Sequence, residues 1–129
     1  MCYSKIKWKD HEEWLSIRKT GIGGSDAGTI LGLNPYKSPL ELYYEKRGEV
    51  DAPDLSGNEA VRWGTELEAL IAKRYAQETG ARVTRNNFTL RSDAYPFMLA
   101  NLDREAVKDG ERYGVEVKTV GLYSAHYWD

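Results

Sequence analysis

The sequence predicts a mixed α and β domain, α+β in type. It has helices in its N-terminal part, one long helix in the middle, and then a mainly antiparallel three-stranded sheet. Three observations lead there. Asp10-His11-Glu12-Glu13 and Ser38-Pro39-Leu40-Glu41 have the form of helix starts, each a capping side chain followed three residues later by glutamate. Ala60, Trp63, Leu67 and Ile71 recur at helical spacing over residues 59–79, and Gly80 ends the run. From residue 81 onward β-branched and aromatic residues take over, and Asp109-Gly110 between two short runs is a two-residue hairpin signal. At 129 residues the chain has the length of a single domain, residues 1–129, with one core.

Taken in order, Asp10 is the expected N-cap and Glu13 the N3 residue of a short helix through Trp14, Ile17 and Arg18. Trp14 and Arg18 are four apart on one face, so the arginine stem is expected along the indole. Gly21-Ile22-Gly23-Gly24-Ser25-Asp26 is a glycine-rich turn into a second helix, with Ser25 or Asp26 as cap. Free N–H groups at such a start suit phosphate, and a plain capped connection explains them equally. The run is neither a Walker A loop nor G-x-G-x-x-G after a strand, so nucleotide binding is not indicated. Asn34-Pro35-Tyr36 reads as a turn. Ser38 then caps a third helix, with Pro39 at N1 and Glu41 at N3, which runs to Arg47 and stops at Gly48.

A polar loop over residues 49–58 leads into the long helix. There Glu68 lies on the rim of the apolar stripe, while Glu59 and Glu66 point to solvent. A rim glutamate is also an ordinary boundary residue. Residues 81–91 read as a strand or a bulged strand pair and residues 92–96 as a turn. Phe97 begins a strand that runs into Asp103. Residues 122–129 have the pattern of another helix start.

The chemistry concentrates around the hairpin. Counting outward from Asp109-Gly110 pairs Lys108 with Glu111, Val107 with Arg112 and, further out, Asp103 with Glu116. Directly opposed residues on one face have Cβ atoms about 4.5–5.5 Å apart. Two carboxylates at that range repel unless a proton or a cation lies between them. Glu116 and Lys118, two apart on one strand, share a face at a Cα spacing of about 6.6 Å. The hairpin thus gathers two hard oxygen ligands and an ammonium, the outline of a divalent-metal site. The same triplet also describes a solvated strand face, and a bulge would part the pair.

Composition sets the boundaries. A single cysteine, Cys2, excludes an internal disulfide, a cysteine-based zinc site and a four-cysteine iron–sulfur cluster. No run approaches the roughly 18 apolar residues of a membrane span and no signal peptide opens the chain, so an intracellular, non-membrane protein is expected. The net charge of −2 is not that of a broadly basic nucleic-acid coat. The acidic excess lies in residues 50–79, with six acidic side chains against three basic ones.

Helix, strand, strand bearing Asp103, strand bearing Glu116-x-Lys118: in this order the chain resembles the PD-(D/E)XK nuclease superfamily. Within it, the chain is similar to the lambda-exonuclease or YqaJ-type viral recombinase family over nearly its whole length. The motifs are Trp14-Leu15-Ser16-Ile17-Arg18 leading to Gly21-Ile22-Gly23-Gly24-Ser25-Asp26, then Trp63-Gly64-Thr65-Glu66-Leu67-Glu68, Asn101-Leu102-Asp103 and Glu116-Val117-Lys118. The resemblance implies a restriction-endonuclease-like core. It implies that Asp103 and Glu116 bind Mg²⁺ or Mn²⁺, with the Val117 carbonyl and Glu68 completing an oxygen shell. Lys118 would orient or activate the attacking water, and Arg18 and Ser25 would hold DNA phosphate.

The activity so implied is hydrolysis of DNA phosphodiesters, 5′ to 3′ from the ends of linear double-stranded DNA, in recombination. The implied setting is the cytoplasm of a bacterial or phage-infected cell. The implied partners are further copies of the chain, as a homo-oligomer, and a single-strand annealing protein. Two features depart from the pattern. Asn101-Leu102 stands where the superfamily has proline, and family members continue beyond the E-V-K strand with a helix, a further strand and a Gln-bearing segment. The second core helix and fourth strand are therefore expected to be missing. Two other readings stay open: a catalytically silent DNA-end binding or assembly module, and an unrelated α/β domain whose Asp103, Glu116 and Lys118 are a surface ion-pair cluster.

Overall fold

A computed structural model describes residues 2–127. In chain order its elements are β1 (Tyr3–Lys7), α1 (His11–Lys19), α2 (Gly24–Ile30), α3 (Pro39–Arg47), α4 (Glu59–Thr79), β2 (Arg82–Thr84), β3 (Phe88–Ser92), β4 (Leu99–Ala100), β5 (Arg104–Lys108), β6 (Glu111–Val115) and a 3₁₀ turn (Leu122–Tyr127). They fall into two compact units. One takes the chain up to Pro53 together with Asn87–Asn101, the other Asp54–Asn86 and the chain from Leu102 onward. No helix among the described residues is long and apolar enough to cross a membrane.

The first unit holds α1, α2 and α3 with an antiparallel sheet in the order β1-β3-β4. β1 pairs with β3 from Tyr3↔Ser92 to Lys7↔Phe88, and Leu90 of β3 pairs with Ala100 of β4. β1 carries no clear signal in the sequence. Only Ser4 and Ile6 turn inward along it, too short an alternation to stand out, and Lys5 and Lys7 suit a sheet edge. The turn before α2 is fastened to β4, where the Ile22 N–H donates to the Phe97 carbonyl at 2.7 Å and the Leu99 N–H to the Ile22 carbonyl at 2.9 Å. Gly21 makes this approach possible, since a Cβ there would lie 2.5 Å from the Phe97 oxygen. Asn101 Oδ1 accepts from the buried Thr89 hydroxyl at 2.7 Å and from Trp14 Nε1 at 3.1 Å, joining α1 to the sheet.

Most helix ends form as their caps require. Asp10 Oδ1 accepts the Glu13 N–H at 2.9 Å, while the Glu13 carboxylate takes the Lys9 N–H at 2.8 Å instead of closing the box on Asp10. Ser38 and Glu41 make the full reciprocal box of α3, and Gly48 ends it at φ 73°. α2 departs from expectation. Its N-cap is Gly23, and Asp26 sits at N3 with Oδ2 accepting the Gly23 N–H at 2.9 Å. Ser25 and Asp26 therefore lie inside the helix, because the Asp26 carboxylate reaches back over the first turn.

The second unit holds α4 and an antiparallel sheet in the order β2-β5-β6. Asp109 (φ 52°) and Gly110 (φ 83°) both take the left-handed conformation that a tight hairpin turn of this twist requires. α4 runs from the Asn58 cap to Gly80 at φ 71°, as its sequence signals. The face it turns inward is not the expected one. Trp63 and Ile71 are exposed at 54% and 37%, Ala60 is exposed too, and of the four only Leu67 is half-buried. Gly64, Leu67, Glu68, Ala72, Tyr75 and Ala76 form the covered face, with Ala72 fully buried. Large apolar residues are spread around much of α4, so periodicity alone does not choose a face. Two polar contacts to the sheet choose it: the Glu68 pair with Arg104, and Tyr75 Oη at 3.2 Å from Tyr113 Oη.

Two expectations about the strands are corrected. Among the described residues there are two small three-stranded sheets in place of one, and residues 81–91 divide between them as β2 and β3. The strand expected from Phe97 into Asp103 is likewise two, β4 and β5, because the chain leaves one ladder after Ala100 and enters the other at Arg104. The helix start expected over residues 122–129 is a 3₁₀ turn as far as Tyr127, and residues 128–129 lie outside the described residues.

Candidate active-site residues

The hairpin register is the one counted from the sequence. Lys108↔Glu111, Val107↔Arg112, Ala106↔Tyr113, Glu105↔Gly114 and Arg104↔Val115 are all paired. The ladder stops one residue short of Asp103 and Glu116. Asp103 instead lies in a bend, with Oδ2 accepting the Val117 N–H at 2.7 Å. This bond fastens the aspartate to the strand continuation that carries Glu116 and Lys118. Leu102 covers Gly114, where a Cβ would meet its Cδ2 at 2.9 Å. The Leu102 carbonyl accepts from Asn86 Nδ2 at 3.2 Å, which holds the bend from its other side.

Lys118 Nζ lies 2.6 Å from Glu116 Oε1, with both side chains more than half exposed. The hydrogen bond to Glu116 is the main reason that Lys118 titrates above its ordinary value. Burial works against the shift, and the charges of Glu116 and Asp103 add to it. Paired with Glu116 in this way, Lys118 is an ammonium at neutral pH and a hydrogen-bond donor.

Glu68 reaches the sheet from α4. Its Oε1 accepts from Arg104 Nη1, which also donates to the Asp103 carbonyl at 2.6 Å. Arg104 is only 8% exposed and alternates with the fully buried Ala106 on the covered face of β5. Arg104 belongs to no motif, and an arginine in step with an inward alanine is the signal that the sequence offers for it. Glu68, Asp103, Glu116, Val117 and Lys118 all belong to the second unit. The structure joins Asp103 to Val117, Glu116 to Lys118 and Glu68 to Arg104. Among the described residues, no three Asp, Glu, His or Cys side chains stand together as a metal-holding group. Carboxylates and a carbonyl are the donor types a hard divalent cation takes, so the chemistry of the set fits Mg²⁺ or Mn²⁺. Two of the three carboxylates meanwhile hold cations of the protein itself.

Arg18 and Ser25 belong to the first unit. The Arg18 guanidinium lies over the Trp14 ring, 4.8 Å from its centroid, and Nη2 donates a long hydrogen bond of 3.5 Å to Ser25 Oγ. Packing on the indole and readiness for an anion are therefore compatible, since the ring braces the same guanidinium that faces the hydroxyl. Beneath them Lys46 Nζ pairs with Asp26 Oδ2 at 2.8 Å and donates to the Arg18 carbonyl at 2.7 Å. Burial pushes the Asp26 carboxyl upward. The hydrogen bonds from Lys46 and the Gly23 N–H, with the charges of Lys46 and Arg18, outweigh it and leave Asp26 below its ordinary value. Neither Lys46 nor Asp26 was marked for a role at this cluster by sequence, although Lys46 stands one turn beyond the buried Leu42 on α3.

Comparison with known proteins adds a family. The model of the YqaJ-like viral recombinase domain matches residues 13–129. The chain is similar to the uncharacterized protein YqaJ of Bacillus subtilis (strain 168), 43% identical over 118 residues that make up 92% of this chain and 36% of that relative. It is also similar to a protein of African swine fever virus, 42% identical over 57 residues, 44% of this chain and 16% of the viral one. The chain thus spans about a third of the length of the Bacillus relative and less of the viral one. No solved structure matches it.

Proposed function

Because this chain belongs to the YqaJ-like viral recombinase family, we propose that it is the catalytic part of a phage-type recombination nuclease. On this reading it has a PD-(D/E)XK core and hydrolyses phosphodiesters of linear duplex DNA, 5′ to 3′, using Mg²⁺ or Mn²⁺. The observation that carries the reading is the bond from the Val117 N–H to Asp103 Oδ2. It brings the aspartate onto the segment that bears Glu116 and Lys118, the residue types and order that metal-assisted hydrolysis needs.

Asp103, Glu116 and the Val117 carbonyl would hold the cation, with Glu68 from α4 as the further carboxylate. The bound ion would lower the pKa of a water and offset charge developing on the phosphate. Lys118 would orient or activate the nucleophilic water beside the phosphate. Glu116 would exchange Lys118 for the cation, and the buried Arg104 would keep Glu68 aimed at the sheet. Arg18 and Ser25 would hold a DNA phosphate, the 5′-terminal one of the strand to be degraded. Further copies of the chain and a single-strand annealing protein are the proposed partners, in the cytoplasm of a bacterial or infected cell.

A second reading has its own support. Since no three acidic side chains converge among the described residues, a silent DNA-end binding module would show the same geometry. Linear and closed circular duplexes incubated with the protein in Mg²⁺, Mn²⁺ or EDTA separate the two. The nuclease reading expects metal-dependent loss of linear DNA alone, reduced at least about 100-fold in Lys118→Ala, the scale of one lost catalytic group. Folded wild-type protein that binds DNA ends but leaves both substrates intact in either metal would favour the silent module.

A further inference from the structure

We infer that Lys46 and Asp26 are positioning residues for a terminal phosphate held by Arg18 and Ser25, a proposal that rests on the phosphate reading of that pair. The ammonium of Lys46 makes two bonds. One goes to the backbone carbonyl of Arg18 at 2.7 Å, and the other to Asp26 Oδ2 at 2.8 Å, on the residue next to Ser25. A single side chain from α3 thereby fixes the end of α1 that carries the guanidinium against the first turn of α2 that carries the hydroxyl. The same Asp26 oxygen accepts the Gly23 N–H at 2.9 Å and so sets the turn that leads into Ser25.

The latch is covered: Asp26 is 7% exposed, and the side chains of Lys46 and Asp26 are 18% and 10% exposed. A covered ion pair is a poor source of net stability, because desolvating both charges offsets their attraction, but it fixes geometry. Charge points the same way. Asp26 neutralises Lys46, so the positive charge left for an anion is that of Arg18, whose direction is set by Trp14 on one side and Ser25 on the other. Phosphate recognition by guanidinium and hydroxyl depends on hydrogen-bond geometry, so loosening α1 against α2 would lose the phosphate without touching it.

The test is fluorescence anisotropy of the full chain with two duplexes that differ only in a 5′-phosphate or 5′-hydroxyl end, in EDTA so that nothing is cut. Wild type is expected to prefer the phosphate by about tenfold, the scale of one charge-assisted contact, and Arg18→Ala to bind both equally. Lys46→Met and Asp26→Asn are each expected to lose most of the preference while affinity for the hydroxyl end changes less than about twofold. Either single variant leaves a partner charge covered and unpaired. The double variant Asp26→Asn/Lys46→Met removes both charges, is expected to fold, and should lose the preference as well.

If Arg18→Ala loses the preference and the double variant keeps it, the positioning role is overturned and the phosphate reading stands. If Asp26→Asn raises the preference, Lys46 contacts the phosphate directly and the positioning role is again overturned. If wild type shows no preference, or Arg18→Ala keeps it, the phosphate reading itself fails and the proposal falls with it.

Discussion

At the end of the hairpin each acidic side chain has a partner supplied by the chain: Val117 for Asp103, Lys118 for Glu116 and Arg104 for Glu68. Each contact fixes the direction of its carboxylate, with the Lys118 pair exposed and Arg104 buried. In the first unit both side chains of the ion pair are covered. Asp26 titrates below its ordinary value of 3.8, so its carboxylate contributes stability that is fully present above that value and is lost as the pH falls through the lower, folded value. The groups facing it are Lys46 from α3, Arg18 from α1 and the Gly23 N–H. Denaturant melts of wild type and Asp26→Asn between pH 7 and pH 3 are therefore expected to differ by roughly 2–3 kcal/mol at pH 7, somewhat below the range for fully covered pairs. The gap should narrow as the solution becomes more acid than pH 4. A gap independent of pH would contradict this account of Asp26.

Among the elements, those defined by local chemistry were legible in the sequence. The capped start of α3, the glycine ends of α3 and α4 and the Asp109-Gly110 turn each depend on residues within four positions of one another, and each formed as expected. What depends on distant partners was not legible. The inward face of α4 is set by Arg104 and Tyr113, far along the chain, and not by its own periodicity. β1 needs β3 to exist as a strand at all, and the division of residues 97–108 between two sheets follows from pairings that no local pattern announces. Among the candidate residues, hairpin register places Asp103 near the segment of Glu116 and Lys118, whereas the contacts of Arg104 in one unit and Lys46 in the other appear only in the fold. Gly21 tests one such contact. A methyl group there would press on the Phe97 carbonyl, a backbone atom that cannot swing aside. Gly21→Ala is thus expected to cost roughly 1–3 kcal/mol in a denaturant melt, and a loss below about 0.5 kcal/mol would mean that the turn is not held against β4 as described.

At the scale of the whole molecule, the family match covers residues 13–129, and with it both compact units. The residues proposed for cation and for phosphate lie in different units, the first with three helices on its small sheet and the second with α4 beside its own. The reading of an unrelated domain with a chance ion-pair cluster is set aside by that membership. The nuclease and silent-module readings share the claim that the hairpin end binds a divalent cation through Asp103 and Glu116. Isothermal titration of Mn²⁺ into the purified chain, with Asp103→Ala and Glu116→Ala alongside, tests that claim most directly. The account predicts saturable binding by the wild type, lost or weakened at least about tenfold in each variant while circular dichroism stays unchanged. Wild-type-like Mn²⁺ binding by either variant, or no binding by the folded wild type, would contradict it.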